Sequence, residues 1–338
     1  MKPLRLGILG AARIAELAIV KPAHATGTRL VAVAARNPDR AAAFAAAHGV
    51  ERVANSYTEL LADPEIEAVY NPLPNALHGP WNLAAVNAGK HVLSEKPFAA
   101  NTDEATEVRD AGRRAGVVVA DGFHYIYHPV MHRLRALLAS GELGELTHVE
   151  ANVFMPDPGA NDPRWSLALA GGALMDLGCY GLHANRALAR WAGGEPRPVA
   201  ARAGEHPGAP GVDEWLDAEL TFPNGATGTA RCNMAADHWE MTCRLVGTRA
   251  TATAMNFVRP HLDDRVVIEI GADRRVEHLG TRSSYIYQLE AFVAAVRAGA
   301  PLPTDADDAV ATMRLIDDCY LAAGMDPRRR TRTEETTG

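Results

Sequence analysis

The stretch Leu6-Gly7-Ile8-Leu9-Gly10-Ala11-Ala12-Arg13-Ile14-Ala15 decides the fold of this chain. An apolar run ends at a glycine and passes directly into a segment that can be helical, which predicts a strand, a tight turn and a helix. At the first strand of a βαβ unit, such a turn brings backbone and helix N–H groups close to the pyrophosphate of a dinucleotide. Gly10, Ala12 and Ala15 hold the three small-residue positions of that fingerprint, and Arg13 and Ile14 begin the helix.

Ala12 departs from the fingerprint, because its methyl group crowds the pyrophosphate slightly. Alanine is an accepted variant at the packing position, which Ala15 holds. A glycine turn of this kind can also be purely structural. Its place after the first strand of an alternating region favours cofactor binding.

The first ~125 residues alternate strand-like and helix-like segments, the pattern of a parallel sheet with crossover helices. We therefore expect a Rossmann-like α/β domain over residues 1–123. The expected strands are 4–9, 29–35, 65–71, 90–94 and 117–120, and the expected helices are 13–25 (bent or ended by Pro22), 38–48, 56–61, 75–88 and 102–115.

Beyond this region, strand-like runs follow one another without intervening helices, which indicates an open, mostly antiparallel sheet in an α+β domain. We expect this substrate-binding and oligomerisation domain over 124–325, with one sheet face covered by helices and the other pairing copies into a dimer or tetramer. The polar segment 326–338 is expected to be disordered. The expected strands are 147–155, 215–222, 227–234, 240–246 and 266–270, and the expected helices are 129–140, 180–191, 285–298 and 306–323.

Composition excludes several classes of protein. The 338 residues carry a formal net charge of -7, which argues against a general nucleic-acid or anionic-membrane binder. No apolar run approaches the ~20 residues of a membrane helix, and no signal peptide is recognised, so we expect a cytoplasmic protein. The four cysteines are scattered without metal-ligand spacing, which predicts reduced, mostly buried thiols and no metal site.

The end of the second strand indicates which cofactor is bound. A ribose 2′-hydroxyl prefers a carboxylate there, whereas a 2′-phosphate prefers a cation. The sequence has Arg36 at this point and Arg40 one helical turn later, with no carboxylate at the strand tip. This favours NADP over NAD, the alternative being that Arg36 is a solvated loop residue.

A proline-containing loop follows the third strand of the alternating region, at the carboxyl edge where ligands lie. Pro72 belongs to this loop, and Asn75 is expected to cap the next helix. His78 either faces the cofactor or lies on the helix surface.

Lys96 and Tyr180 are the expected acid–base pair. Hydride transfer at a carbinol carbon needs a group that takes or gives the hydroxyl proton. A free tyrosine has a pKa of ~10, and a nearby ammonium would lower it. Lysine is rare here, at only four positions against thirty arginines, which adds weak support for a special role of Lys96.

Further polar residues surround this pair in the sequence. Asp176 and His183 would share a helix face with Tyr180, Asp176 as a helix cap or a substrate ligand and His183 as a substrate ligand or a core histidine. Gly171-Gly172 would form a flexible turn against the substrate. Trp165 lies in a segment that could wall the same cleft, and His124 and Tyr125 are pocket candidates that could instead belong to an interdomain core.

These residues together resemble the Gfo/Idh/MocA oxidoreductases over roughly residues 4 to 325. The glycine turn, Glu95-Lys96-Pro97, the segment from His124 to Pro129, and Gly171 through Tyr180 carry the resemblance. Many members have histidine where this chain has Tyr180, and the tyrosine is similar to the branch of glucose–fructose oxidoreductase, dimeric dihydrodiol dehydrogenase and xylose dehydrogenases. The resemblance implies NADP(H), a cofactor site that includes Glu95 and Lys96, and catalysis by Lys96 and Tyr180.

The sequence thus predicts an NADP(H)-dependent dehydrogenase or reductase of a sugar, polyol or diol. One alternative is a ketoreductase of a nucleotide-linked sugar, for which Arg164, Arg244 and Arg259 could bind the diphosphate. Another is a non-catalytic dinucleotide sensor, which the presence of both Lys96 and Tyr180 disfavours.

Overall fold

The computed structural model describes residues 2–330. The chain forms two compact units. Among the described residues, the first contains 2–123, 285–313 and 330, and the second contains 124–284 and 314–329. The first boundary falls between Phe123 and His124. The division differs from the expected one because residues 285–313 belong to the first unit and not to the second.

The first unit is built on a six-stranded parallel sheet of order β3-β2-β1-β4-β5-β6. This is the Rossmann-like arrangement that the alternating pattern predicts, since crossover helices connect parallel strands. The strands are β1 (Arg5–Leu9), β2 (Arg29–Ala34), β3 (Arg52–Val53), β4 (Ala68–Asn71), β5 (His91–Ser94) and β6 (Val119–Asp121).

Local signals set the ends of the helices in this unit. Asn37, Ser56 and Asn101 each accept a hydrogen bond from a first-turn N–H of the helix that follows, as N-cap residues do. The helices are α1 (Arg13–Ala15), α2 (Lys21–Thr26), α3 (Pro38–His48), α4 (Tyr57–Ala62), α5 (His78–Asn87), α6 (Thr102–Ala115) and α9 (Ser284–Ala298), whose residues from Tyr285 onward lie in this unit.

Pro22 neither ends nor interrupts the first helical run. A π-helical turn, Glu16–Val20, joins α1 to α2 and places Pro22 in the first turn of α2, where a missing N–H is tolerated. Gly27 ends the run in the left-handed conformation, at φ 73°.

The core of the first unit combines distant parts of the sequence. Tyr285, Leu289 and Phe292 of α9 are buried in the same cluster as Leu6 and Ile8 of β1. The sequence predicts α9 correctly but assigns it to the wrong unit, because an apolar helix face does not indicate which sheet it covers.

The second unit is built on an eight-stranded, mostly antiparallel sheet of order β14-β13-β12-β11-β7-β10-β9-β8. Only β7 and β10 run parallel. The strands are β7 (Leu146–Phe154), β8 (Arg197–Glu205), β9 (Asp213–Thr221), β10 (Thr227–Asn233), β11 (Glu240–Gly247), β12 (Thr251–Ala254), β13 (Arg265–Ile270) and β14 (Asp273–His278).

Helices cover one face of this sheet. Helix α8 (Cys179–Ala187) packs on β7 and β10, and α7 (Pro129–Ala139) packs on β12 and β13. The side chains of this face are buried, whereas the opposite face carries polar residues such as Glu150, Asp217 and Arg231. Helix α10 (Ala306–Ala322) completes the described helices.

The end of the chain is partly ordered against the second unit. Arg328 is buried and bonded to the carbonyl of Gly171, so the prediction of disorder is wrong at this position. Gly171, Gly211 and Asp213, to which it is hydrogen-bonded, are more than a hundred residues away in the sequence, which no local pattern can reveal. The expectation for 331–338 lies outside the described residues.

Among residues 2–330, no helix combines the length and the apolar character that crossing a lipid bilayer requires.

Candidate active site

The carboxyl edge of the parallel sheet brings the predicted cofactor residues together within the first unit. Strands β1, β2, β4 and β5 end there, and they are followed by Gly10, Ala35, Pro72 and Glu95, respectively. Ligands of open α/β sheets bind at this edge.

Gly10 forms the tight turn after β1. Its φ of 100° is disfavoured for residues with a side chain, and a Cβ here would lie 3.0 Å from Cδ2 of Leu73. Its N–H donates to the carbonyl of Ala34 at 2.7 Å, which ties the turn to β2. Ala12 precedes the helix, and Ala15 is fully buried, as the packing position requires.

The start of the helical run faces away from the core. Arg13 and Ile14 are exposed. Few other large apolar side chains of this unit are exposed to solvent. An exposed helix N-terminus beside a glycine turn is a binding position for a phosphate group.

Two arginines lie at the tip of β2. Arg36 is exposed, and Arg40 donates from Nη2 to the carbonyl of Ala11 at 3.0 Å, which braces the glycine turn. Tyr57 lies beside the glycine turn, because a Cβ on Gly10 would be 3.9 Å from its hydroxyl. The same hydroxyl is hydrogen-bonded to the backbone of Arg36, and the charges of Arg36 and Arg40 act on it. Sequence reasoning missed Tyr57, whose role depends on the approach of α4 to the turn.

His78 is neither a surface residue nor open toward the sheet edge. It is 1% exposed, and its two ring nitrogens lie 2.6 Å from the carbonyl oxygens of Leu73 and Pro97. Burial lowers the pKa of His78 to about 4, although both carbonyls favour the charged form. The placement of His78 on the helix surface is therefore wrong, and its ring joins the loops that follow β4 and β5.

Asn75 is not an N-cap. It begins a 3₁₀ turn, Asn75–Leu77, with Pro74 before it and no side-chain cap. Pro72 is buried in the same loop.

Glu95 and Lys96 follow β5 directly. The Glu95 carboxylate accepts a hydrogen bond from the Tyr70 hydroxyl at 2.8 Å, and its N–H donates to the carbonyl of Asn71. Lys96 is half-buried, and the bond between Lys96 and Pro97 is cis. The backbone before Lys96 is thus tied to the end of β4.

A buried carboxyl beside Lys96 escaped the sequence analysis. Asp121 is paired with Ser94 across β5 and β6, and its Oδ1 accepts from the N–H of Gly122 at 2.8 Å. Burial, together with the charges of Asp308 and Glu95, raises its pKa well above the usual range, and the charge of Lys96 opposes this rise. A lone aspartate at a strand end gives no sequence signal for such burial.

In the second unit, Tyr180 belongs to a buried polar chain. Its hydroxyl lies 3.3 Å from Nε2 of His124, and Nδ1 of His124 lies 2.8 Å from Oγ of Ser284. All three residues are buried. The structure therefore brings together two predicted residues, Tyr180 and His124, and adds Ser284.

Tyr125 and His183 form a second pair beside this chain. The Tyr125 hydroxyl lies 2.6 Å from Nδ1 of His183, and the Tyr125 ring contacts the rings of Tyr180 and Phe257 at centroid distances of 5.9 and 5.0 Å. Both residues are almost fully buried. They form the packed wall behind Tyr180.

Asp176 does not cap the helix. It lies within a π-helical turn, Leu174–Gly178, that runs directly into α8. Its Oδ2 lies 2.9 Å from Nε of Arg164, which also pairs with Asp162 at 3.3 Å. The predicted aspartate thus lies on the helix of Tyr180, but an arginine orients it.

Trp165 is buried in a 3₁₀ turn, Pro163–Trp165. Its indole N–H donates to Asp157 at 3.3 Å, and its ring stacks on His206 with centroids 4.1 Å apart. The predicted wall segment is therefore a packed structure of its own.

The pair Gly171-Gly172 is tightly packed and not flexible. A Cβ on Gly171 would lie 2.2 Å from the carbonyl oxygen of Arg164, and one on Gly172 would lie 2.0 Å from Oδ1 of Asp213. Glycine is required here because protein atoms closely approach the backbone.

The three candidate diphosphate cations have different surroundings in the second unit. Arg164 is paired with Asp176, Arg244 is exposed on β11, and Arg259 stacks over the Trp239 ring at 4.7 Å.

The four cysteines, Cys179, Cys232, Cys243 and Cys319, are free and buried, as the sequence predicts. Within the described part of the chain, no group of three or more His, Cys, Asp or Glu side chains is arranged to hold a metal ion.

Two family models match the chain. The oxidoreductase family with an NAD-binding Rossmann fold matches residues 4–123, and the GFO/IDH/MocA C-terminal domain matches residues 131–253.

Curated relatives align over nearly the whole chain. A D-xylose 1-dehydrogenase (NADP+) of Haloferax volcanii is 36% identical over 95% of this chain and 97% of its own length. A dTDP-3,4-didehydro-2,6-dideoxy-α-D-glucose 3-reductase of Streptomyces violaceoruber is 33% identical, over 96% of both proteins.

A solved structure has the same fold. KijD10, a 3-ketoreductase from Actinomadura kijaniata in complex with NADP and TDP-benzene, aligns with a TM-score of 0.86 and 27% identity, over 95% of this chain and 98% of its own. Structures of this ketoreductase also exist with a lysine or a tyrosine replaced.

Proposed function

Because the chain belongs to the Gfo/Idh/MocA family of oxidoreductases, we propose that it transfers hydride between NADP(H) and a sugar, polyol or diol. The observation that carries the proposal is the polar chain of Tyr180, His124 and Ser284. A buried phenol with a hydrogen-bonded histidine behind it can exchange a proton with a substrate hydroxyl.

The first unit fits a dinucleotide. The turn at Gly10 admits close approach of a backbone, and the adjoining helix N-terminus, with Ala12, Arg13 and Ile14, is exposed beside it. When bound, the nicotinamide supplies or accepts the hydride. The residues that would hold the dinucleotide are Gly10, Ala12, Arg13, Ile14, Arg36, Arg40, Pro72, Asn75, Glu95 and Lys96.

Arg36 supports NADP over NAD. It is an exposed cation at the tip of β2, where a 2′-phosphate would lie, and no carboxylate occupies that strand tip. Both the xylose dehydrogenase relative and the ketoreductase neighbour are named with NADP. Arg40 contributes by holding the turn through Ala11.

We assign the proton transfer to Tyr180, with His124 and Lys96 assisting. With its proton on Nε2, His124 can donate to a Tyr180 phenolate while Ser284 donates to Nδ1; with the proton on Nδ1, it can accept from the neutral phenol. The ammonium of Lys96 would stabilise the phenolate and polarise the substrate oxygen. The lysine and tyrosine replaced in the ketoreductase are separated by as many positions as Lys96 and Tyr180, which supports the pairing.

The substrate would be a small polyhydroxy compound. Asp176 offers a half-buried carboxylate to a hydroxyl, and His124, Tyr125, Trp165 and His183 would form aromatic and polar walls. Xylose, named for one relative, is the first sugar to test.

A nucleotide-linked sugar is the second candidate, because a relative and a structural neighbour are both ketoreductases of that kind. Against it, Arg164 is engaged by Asp176 and Arg259 is stacked over the Trp239 ring. A non-catalytic dinucleotide sensor would not need the Tyr180–His124–Ser284 chain.

Assembly into a homodimer or homotetramer through the polar face of the eight-stranded sheet is a further part of the proposal. An open antiparallel sheet leaves one face to be covered. Light scattering on the purified protein would test it, with a monomer at micromolar concentration contradicting it.

Calorimetric titration with NADPH and NADH, side by side, tests the cofactor. A preference for NADPH followed by NADP-dependent oxidation of D-xylose or a related polyol supports the proposal. Failure to bind either dinucleotide would refute the oxidoreductase assignment. NADPH binding with reduction of only nucleotide-linked ketosugars would select the second candidate.

A further inference from the structure

Asp213 is a fully buried carboxylate at the first position of β9. Its Oδ2 accepts from the N–H of Leu174 at 2.6 Å, and its Oδ1 accepts from the Tyr320 hydroxyl at 2.9 Å. Oδ1 also pairs with the guanidinium of Arg328, which is equally buried. Both charges of this pair are thus removed from water and satisfied by neighbours.

Arg328 contacts three separate segments of the chain, two of them through backbone carbonyls. Its Nε donates to the carbonyl of Gly171 at 2.8 Å, and its Nη1 donates to the carbonyl of Gly211 at 3.0 Å. The guanidinium carbon lies 4.4 Å from the centre of the Tyr320 ring. One arginine near the end of the chain therefore joins the glycine pair, the loop before β9 and α10.

These contacts converge on the start of the helical run that carries Asp176 and Tyr180. The run begins at Leu174, and no side chain of its own first turn caps it. Because the first N–H groups of a helix have no partner within the helix, the bond from Leu174 to Asp213 acts as a cap supplied by another strand. The carbonyl of Gly171, three residues earlier, is held by Arg328.

Close packing restricts the backbone of this segment at Gly172. The Gly172 backbone lies against Asp213 and Arg328 so closely that any Cβ would clash with both. A buried ion pair contributes little net stability by itself, but removal of one partner leaves an uncompensated charge. The arrangement is therefore better explained by the geometry that it imposes than by the stability that it adds.

We propose that Asp213 and Arg328 are positioning residues that fix Gly171–Leu174 and thereby the placement of Asp176 and Tyr180 for catalysis. The catalytic part of this inference rests on the proposed function. The structural part, that this pair orders the start of the helix, stands without it.

Replacement of Arg328 tests both parts. Arg328→Ala should lower kcat about 10- to 100-fold, since displacement of a reacting group by about 1 Å has effects of that size. NADPH affinity should stay within about twofold, because the expected cofactor residues lie in the other unit. Millimolar guanidinium should recover part of the lost turnover by replacing the missing group, and Arg328→Lys should lie between Ala and wild type.

Arg330→Ala is the matched control. Arg330 lies on the same terminal segment but pairs with Glu107 at the surface, so its loss should change neither turnover nor its response to guanidinium. Assays at pH 8 keep Asp213 of the wild type ionised, because burial raises the pKa of this carboxyl to about 6 while the charge of Arg328 opposes the rise.

Hydrogen exchange gives a readout that does not depend on activity. Amides in peptides covering 171–180 should lose protection in Arg328→Ala, while those of α7 should not change. Wild-type exchange rates at 171–180, or turnover within twofold of wild type, would overturn the proposal. If the wild type has no NADP-linked activity, the proposed function fails and the exchange result still decides the positioning role.

If Arg328→Ala does not fold, Tyr320→Phe takes its place, because it removes one hydrogen bond to Asp213 and little else. Reduced protection at 171–180 with intact NADPH binding would support the proposal. Unchanged protection would contradict it.

Discussion

The hydroxyl of Tyr180 lies 3.3 Å from Nε2 of His124, whose other ring nitrogen lies 2.8 Å from Ser284. A phenol that must gain and lose a proton is thus backed by a group that can donate or accept in turn. Tyr180 is therefore hydrogen-bonded to a group that can stabilise either protonation state of its hydroxyl, and it does more than fill space in the core.

Replacing His124 by phenylalanine should lower kcat by about tenfold or more, because the phenolate loses a hydrogen bond worth roughly 1–2 kcal/mol. Ser284→Ala, which leaves the His124–Tyr180 contact in place, should have a smaller effect. Steady-state rates across pH, measured for both variants, show whether His124→Phe lowers kcat more than Ser284→Ala does. Equal rates for His124→Phe and wild type would remove His124 from the proton path.

Lys96→Ala should reduce turnover by about 10²- to 10⁴-fold while NADPH still binds, since a lost acid–base assistant has effects of this size. Lys90→Ala is the control, because Nζ of Lys90 donates to the carbonyls of Asp63 and Ile66 in a structural role. That variant should be less stable but retain its specific activity. Stopped-flow rates and thermal melts separate the two, and full activity of Lys96→Ala would exclude Lys96 from the mechanism.

Arg36→Ala should weaken NADPH binding by roughly 10- to 100-fold, the value of a charge-assisted phosphate contact, and leave NADH binding nearly unchanged. Arg40→Ala should weaken both, because Arg40 braces the glycine turn through Ala11. Calorimetry with both dinucleotides provides the comparison. Equal losses for Arg36→Ala would show that this residue does not read the 2′-phosphate.

The stability of the second unit should fall as pH decreases from 6.5 toward 4. His128 caps α7 by accepting the Val130 N–H on Nδ1, and burial lowers its pKa to about 4. In this range His128 binds a proton more tightly in the unfolded chain than in the folded one, so protonation favours unfolding. At pH 5 the free energy of unfolding should therefore be lower by on the order of 2 kcal/mol. The groups that face the ring include Asp264, which favours the charged form, and His132, which opposes it.

His128→Asn provides the check, because asparagine caps helices but does not titrate. Urea unfolding at pH 7.5 and pH 5 should give a smaller difference for the variant than for wild type. The same pH dependence in both proteins would assign the effect to other groups.

Gly172→Ala should destabilise the protein by several kcal/mol or prevent folding. Its φ of 132° disfavours a side chain, and the new methyl group would collide with Asp213. Gly159→Ala also places a side chain at positive φ, 99°, but with no atom near the added Cβ, and should cost roughly 1–2 kcal/mol. Denaturant midpoints of the two variants measure the difference, and similar costs would mean that the contact with Asp213 can relax.

Local signals in the sequence were sufficient for much of the fold. The bounds of α6 were predicted to the residue, because Asn101 caps its start and Gly116 ends it in the left-handed conformation. In contrast, β14 was missed, since it is a polar edge strand without alternation that depends on pairing with β13. Strand pairing of this kind is a tertiary effect that composition does not encode.

In the candidate site, too, some residues are indicated by local sequence signals and others depend on tertiary contacts. Gly10, Lys96 and Tyr180 could be named because a turn, a strand end and a helix place them. Ser284, Asp121 and Tyr57 could not, because their importance arises from residues far away in the sequence. The burial of His78 could not be predicted, because nothing in its sequence neighbourhood indicates that two carbonyl groups enclose its ring.

The burial of α9 in the first unit has a consequence for synthesis of the chain. Residues 1–123 leave the ribosome with the space for Tyr285, Leu289 and Phe292 unfilled beside β1. The sheet of the first unit therefore cannot complete its core until nearly three hundred residues have been translated, after all eight strands of the second unit have been synthesised. A nascent chain that stalls before α9 would expose an incomplete apolar surface to chaperones and proteases.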